Sequence, residues 1–199
     1  MLTLGISTSA KEPSAAVAEN GEIICIYKDE SGRSHSTVLM GLIESALNKA
    51  GAGFADISAI AVDIGPGSFT GVRIGVSCAN AIAMALGIPV IPVSSLAALR
   101  HSADERGTVC SLIDCRNGNC YAAVYENGVE KLPPCAAVTN EILHDLPEDA
   151  VITGNCCGMD RAPDARLVLV EAALNGRQVR EAVPMYLRPS QAERMKGQK

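Results

Sequence analysis

The feature that most constrains this chain is a repeat. The stretch SAAVAENG at 14–21 returns as YAAVYENG at 121–128, an offset of 107 residues. The same offset sets Ile6 beside Ile113 and Ser7 beside Asp114, which carries the upstream strand along without a gap. Chance easily produces one Asn-Gly turn. It less easily produces the turn, the apolar alternation and the strand before it together. Self-similarity at a fixed spacing marks a chain built from like units, and it predicts two duplicated subdomains, 1–103 and 104–199.

Each unit reads as mixed α/β. LTLGIST is a strand, and SAAVAENGEIICIYK is a hairpin closed by Asn20-Gly21. Residues 36–50 carry Leu39, Leu42, Ile43, Ala46 and Leu47 at helical spacing, with Ser36 as a candidate cap. ISAIAVDI is a strand, 69–86 a helix, IPVIPV a strand, and a further helix begins near Ser94. After the second hairpin the chain offers one helix near 139–145, one strand near 150–153 and an extended terminal segment, AVPMYLRPS. The second unit is therefore the smaller.

Composition narrows the function classes. Apolar residues make up 48% and charged residues 20%, the balance of a folded chain. A net charge of -5 gives no broad nucleic-acid surface, although an RNA process in which a partner holds the RNA stays open. No basic leader precedes the first strand, and the most apolar helix is broken by Arg73 and small residues, so a cytoplasmic protein without a membrane span is expected. Of eight cysteines, Cys25, Cys78 and Cys110 read as small buried thiols. No CxxC pair occurs and the histidines at 35, 101 and 144 are scattered, so neither a zinc site nor a disulfide framework is indicated.

The turn Gly65-Pro66-Gly67-Ser68-Phe69-Thr70-Gly71 joins a strand to a helix, the order that suits anion binding. The chemistry does not follow. A Walker loop needs Lys and a hydroxyl after its last glycine, and here Val72-Arg73-Ile74 stands. A dinucleotide loop wants an acid after the next strand, and IPVIPVSS has none. The glycines instead allow a sharp exit from the strand, with Ser68 or Thr70 placed to cap the helix. Asp63 is a local cap or pair, or else a metal or substrate contact. Along the helix, Gly71, Gly75, Ala79 and Ala83 form a stripe almost without side chains, flanked by Ile74, Cys78, Ile82 and Leu86. Such a stripe packs closely on the protein's own sheet or on a partner helix.

No catalytic constellation converges. Asp114, with Arg116 and Asn117 nearby, reads as a turn cap and ion-pair partner or as the remnant of a nucleotide site. His35 is a base, a binding residue or a polar contact at a helix start, and no partner for a Ser-His-Asp arrangement can be named.

With these residues placed, the chain resembles the bacterial TsaB (YeaZ) family of tRNA threonylcarbamoyladenosine biosynthesis. GPGSFTGVRIG at 65–75 is close to the family signature, supported by RSHS at 33–36, SLIDCRNGNCYAAVY at 111–125 and PMYLR at 184–188. The resemblance implies an ASKHA-type fold of duplicated halves. ATP-using members of that fold end the first strand in an acid, whereas this chain has Ser7. That fits a non-catalytic subunit without cofactor. The family binds TsaD, with TsaE joining the complex, forms homodimers when isolated, and meets tRNA mainly through the complex. The first two helices are the pairing surface. Carried over, the resemblance names His35, Leu39, Leu42 and Ile43 on the first, and Gly71, Ile74, Gly75, Cys78, Ala79 and Ile82 on the second. The alternatives are an independent phosphotransferase or hydrolase using Asp114 and Asp63, or a scaffold outside tRNA modification.

Overall fold

The structure is a computed structural model that describes residues 1–103 and 106–188. Strands β1 (Leu2–Ser7), β2 (Ser14–Glu19), β3 (Glu22–Lys28), β4 (Ile57–Asp63) and β5 (Val90–Val93) form one sheet in the order β3-β2-β1-β4-β5. β1, β2 and β3 are antiparallel neighbours, while β4 and β5 join in parallel. The second sheet has β6 (Thr108–Asp114), β7 (Asn119–Glu126), β8 (Val129–Val138) and β9 (Val151–Gly154) in the order β8-β7-β6-β9. Order and polarity repeat, with the fifth strand missing among the described residues. The expected duplication, with a reduced second half, is borne out. Both hairpins turn on Asn-Gly with positive φ at each residue: 51° and 88° at Asn20-Gly21, 50° and 79° at Asn127-Gly128.

The register corrects one detail of the repeat. Glu19 pairs with Leu2, and Glu126 pairs with Thr108. The hairpins thus align at 126 − 19 = 107, but the strands before them align at 108 − 2 = 106. Six residues lie between the paired Ser7 and Ser14 and seven between their counterparts Ile113 and Tyr121, so the second connection holds the one extra residue. A one-residue slip turns every side chain of a strand to the other face. Ile6 accordingly lies in the core under the first two helices, whereas Ile113 lies with Ala123 and Tyr125 under a different helix. The counterpart of Ser7 is Ile113, not Asp114.

Helices α1 (His35–Lys49) and α2 (Phe69–Leu86) cover one face of the first sheet. Their buried residues join Leu4, Ile6, Ala15 and Val17 in the largest core cluster. The α1 cap is Ser34 rather than Ser36, with no side-chain bond to the helix; the two hydroxyls meet each other at 2.8 Å. α3 (Ser95–Arg100) follows β5 and packs Leu96 and Leu99 onto the second sheet. α4 (Thr139–His144) lies against β7 and β8.

A fifth helix, α5 (Ala165–Asn175), has no counterpart in the sequence reading, and it returns to the first sheet. Asp164 caps it, accepting from the Leu167 N–H at 3.0 Å and pairing with Lys28 Nζ at 2.7 Å. Ala165, Leu167, Val168, Leu169 and Ala172 then bury against Ala16, Ala18, Ala59 and Ala61. Gly5 makes this approach possible, because a Cβ there would stand 2.6 Å from the Leu169 side chain. Each half therefore lends its last helix to the other's surroundings: α3 to the second sheet, α5 to the first. Beyond α5 the chain stays with the first half. Val179 and Val90 exchange backbone bonds at 2.8 and 2.9 Å, and the Asn80 side chain clamps the Ala182 backbone at 2.9 Å on both sides. The last residues of the expected terminal segment, from 189, lie outside the described residues.

Candidate functional site

The turn after β4 is organised by a buried carboxylate. Asp63 is fully buried and accepts four donors: the hydroxyls of Ser7 (2.8 Å), Ser9 and Ser95 (2.5 Å), and the Gly65 N–H (2.9 Å). Burial pushes its carboxyl above the usual range, and the donors pull it back. Ser7, at the end of β1, is buried and holds Asp63. Of the readings open for Asp63, local pairing is the one observed. Ser9 and Ser95 came with no signal in the sequence, since they stand 54 and 32 residues from Asp63.

The glycine stripe of α2 faces inward. Thr8 Oγ1 donates to the Gly71 carbonyl at 2.7 Å, and a Cβ built on Gly71 would overlap the Thr8 carbonyl oxygen. A Cβ on Gly75 would overlap Thr8 Oγ1. Ala79 and Ala83 are buried in the core beyond them. Ser68 caps the helix, accepting from the Gly71 N–H at 3.2 Å, and its own N–H reaches the Ser9 carbonyl at 2.7 Å. The turn from Gly65 to Thr70 is therefore a joint between β4, the 8–13 loop and α2. This corrects the expected partner surface. Gly71, Gly75 and Ala79, together with Leu39 and Ile43 of α1, are enclosed by their own chain and have no surface to offer.

The other expected contacts, Leu42, Ile74, Cys78, Ile82 and His35, are half-buried. Of these, Ile74, Cys78 and Ile82 belong to the outer stripe of α2, which continues through Ser77, Ala81 and Ala85 at helical spacing without a charge. Cys78 Sγ lies 3.7 Å from Met40 Sδ, which joins this stripe to the exposed side of α1. The next residue, Gly41, is exposed in mid-helix, and a Cβ on it would meet nothing within 4 Å. By length and composition α2 could cross a membrane, but its buried stripe is bound to Thr8 and the sheet. Cys25 is likewise half-buried and Cys110 buried.

A cleft of about 680 Å³ opens between the halves beside the joint. Lys11, His35, Asp114, Arg116 and Arg188 reach its wall. His35 Nε2 is 3.1 Å from the Lys11 carbonyl oxygen, the polar contact at a helix start. Asp114 is exposed and accepts from the Arg116 N–H at 2.9 Å, the turn-cap reading. The terminal segment forms the rim: Tyr186 stacks on Phe69 at 4.7 Å, and Arg73 Nε donates to its hydroxyl at 2.7 Å. Among the described residues no three His, Cys, Asp or Glu side chains converge as a metal site.

Comparison with known proteins gives a consistent result. The family described as "TsaD: tRNA N6-adenosine threonylcarbamoyltransferase" matches residues 26–153, from β3 to β9. The Escherichia coli (strain K12) "tRNA threonylcarbamoyladenosine biosynthesis protein TsaB" is 33% identical over 73% of this chain and 65% of its own length. The protein of the same description from Bacillus subtilis (strain 168) is 36% identical over 63% and 56%. The matches thus span between about half and two thirds of these relatives. A solved Pseudomonas aeruginosa structure, titled as an uncharacterized protein with similarity to peptidase YEAZ, superposes with a TM-score of 0.77. It is 25% identical, covering 94% of this chain and 99% of that one.

Proposed function

The chain belongs to the TsaD-type family, in its TsaB (YeaZ) branch, and from that membership we propose that it is a non-catalytic partner subunit. It binds TsaD and supports transfer of the threonylcarbamoyl group from threonylcarbamoyl-AMP to the tRNA adenosine beside the anticodon. TsaE joins the same complex in the cytoplasm, tRNA is met mainly through that complex, and a second copy takes TsaD's place on the isolated protein.

The observation that carries this reading is the outer face of α1 and α2. An uncharged stripe of small and apolar side chains lies beside a glycine that nothing inside the protein requires. A mid-helix glycine costs roughly 1 kcal/mol relative to alanine, and at Gly41 no internal packing offsets it. Close approach of a second helix supplies the reason. The surface proposed for TsaD is therefore Met40, Gly41, Ile74, Cys78, Ala81 and Ile82, with Leu42 and His35 at its edge.

The alternative, an independent phosphotransferase or hydrolase, gains little from the geometry. Asp63 is sealed behind three serines, and Asp114 faces the cleft with its turn N–H bonded to it.

The test is reconstitution. Purified TsaD, TsaE and the donor-forming enzyme are combined with unmodified tRNA, with and without this chain, and modified adenosine is measured by mass spectrometry. Modification should depend on the chain, and Ala81→Glu, an exposed change, should abolish TsaD binding while leaving the fold intact. Full-rate modification without the chain, or unchanged binding by Ala81→Glu, would overturn the assignment. Robust ATP hydrolysis by the chain alone, lost in Asp114→Asn, would favour the enzyme instead.

A further inference from the structure

Six of the eight cysteines lie between 110 and 157. Two of them are adjacent in the turn that leaves β9, and the Cys156 and Cys157 Sγ atoms stand 3.7 Å apart. Cys157 is exposed and has left-handed backbone, φ 58°, which is uncommon for a side chain of this kind. Cys156 is 8% exposed and packs with Cys110, Leu112 and Cys120. One sulfur is open to solvent, and a second waits directly behind it. None of the readings above uses either.

We propose that Cys156 and Cys157 form a vicinal dithiol that undergoes reversible two-electron oxidation by small disulfides of the glutathione class. The Cys157 thiolate attacks one sulfur of the small disulfide, whose S–S bond breaks and releases one small thiolate. The resulting mixed disulfide on Cys157 lies within reach of Cys156. Cys156 gives its proton to solvent and attacks the Cys157 sulfur, and the second small thiolate leaves. The protein loses two electrons and two protons, and one small disulfide becomes two thiols.

Exposure directs the chemistry to this pair. Of the eight cysteines only Cys157 is exposed. Burial pushes the Cys110 thiol up to about 12 and raises Cys120 and Cys135, and Cys157 is itself raised by partial burial and by Cys156, so solvent access rather than acidity singles Cys157 out. Reversibility follows from geometry. Adjacent Cα atoms sit about 3.8 Å apart across a trans peptide, below the usual disulfide range of about 4.4–6.8 Å. A strained, exposed disulfide is readily reduced. The turn also touches the cleft, because Asn155 Oδ1 accepts the Asp114 N–H at 2.8 Å. A change at Cys156 and Cys157 is therefore passed to the cleft wall.

The experiment treats the folded chain with glutathione disulfide, quenches with acid, alkylates free thiols and maps peptides by mass spectrometry. The wild-type protein should lose two hydrogens on the peptide holding residues 156 and 157, retain no glutathione, and recover both thiols under mild reductant. Cys156→Ser should instead keep glutathione on Cys157, because the resolving thiol is gone. Cys157→Asn, suited to the left-handed backbone, should not be oxidised. Phenylarsine oxide, which needs two close thiols, should bind the unaltered protein one to one and block the oxidation. The proposal is overturned by persistent glutathione on wild-type Cys157, by oxidation mapping to another pair, or by no arsenical capture at this peptide.

Discussion

Thr8 and Gly71 meet at two points: the Thr8 hydroxyl donates to the Gly71 carbonyl at 2.7 Å, and the Thr8 carbonyl oxygen occupies the place where a Gly71 side chain would begin. The loop after β1 is thereby locked to the first turn of α2. The backbone atom at Gly71 cannot give way, whereas the Thr8 hydroxyl facing Gly75 can rotate.

Two substitutions should therefore rank differently from their helix propensities. Alanine improves the intrinsic helix by roughly 1 kcal/mol at either position, yet both should destabilise the isolated protein through overpacking, by about 1–3 kcal/mol, with Gly71→Ala the worse. Removing the obstructing atom should rescue the milder one. In urea unfolding, the double variant Thr8→Ala with Gly75→Ala should lose less than the sum of the single changes. Strict additivity would show that the glycine is needed for something other than Thr8.

The link between α3 and α5 should give an acid-dependent stability. Glu171 accepts from Arg100 at 2.9 Å and meets His101 Nε2 at 2.6 Å, with the Arg100 side chain almost wholly buried. Burial alone would raise the Glu171 carboxyl, but the His101 and Arg100 contacts outweigh it and hold it below the usual range. A depressed carboxyl contributes stability above its unfolded pKa and loses it as pH falls through the folded one. Glu171→Gln should cost about 1–3 kcal/mol at neutral pH, because it removes the charge that faces Arg100 and His101 while Arg100 keeps its bond to the Gly128 carbonyl. The gap to wild type should shrink as pH drops below about 4.3, the ordinary glutamate value. A gap constant from pH 7 to 3 would mean that the charge at Glu171 is not what matters.

How far this architecture was legible depends on distance along the chain. The hairpins were readable because Asn20-Gly21 and Asn127-Gly128 are local turns with local chemistry. α2 was readable to its ends, from the Ser68 cap to the left-handed Gly87. The slip between Ser7 and Ile113 was not, because register is set by which helix covers which face, and α5 is 158 residues from β1 at its nearest ends. α5 itself left a signal, Asp164 before an apolar run and Gly176 after it, but the run lacks a clean polar face because it is covered by both the sheet and α3. The stripe of Gly71, Gly75 and Ala79 shows the harder limit. Four-residue spacing reveals that something comes close, and only Thr8 in place shows what.

The packing of α5 allows a direct check on that return to the first sheet. Leu169 is 3% exposed and lies over Gly5. Leu169→Ala should cost about 2–5 kcal/mol, as large-to-small core changes do. Because the cavity opens on β1 and not on the second half, hydrogen exchange should quicken in β1 and β2 before β6 and β7. The reverse order would place α5 with the second half after all.

Gly41 offers the sharpest separation of fold from partner, because the two effects of one methyl group should have opposite signs. Its Cβ position is open and its helix is exposed, so Gly41→Ala should stabilise the isolated protein by about 0.5–1 kcal/mol and raise Tm by a few degrees. The same methyl group should hold a docked helix away, costing about 1–3 kcal/mol of binding, tenfold or more in Kd. Calorimetry with TsaD and sedimentation of the isolated protein measure the binding side, and thermal unfolding measures the other. A rise in Tm with unchanged affinity for both TsaD and a second copy would remove Gly41 from the interface. It would leave that glycine a position the helix could improve at no functional cost.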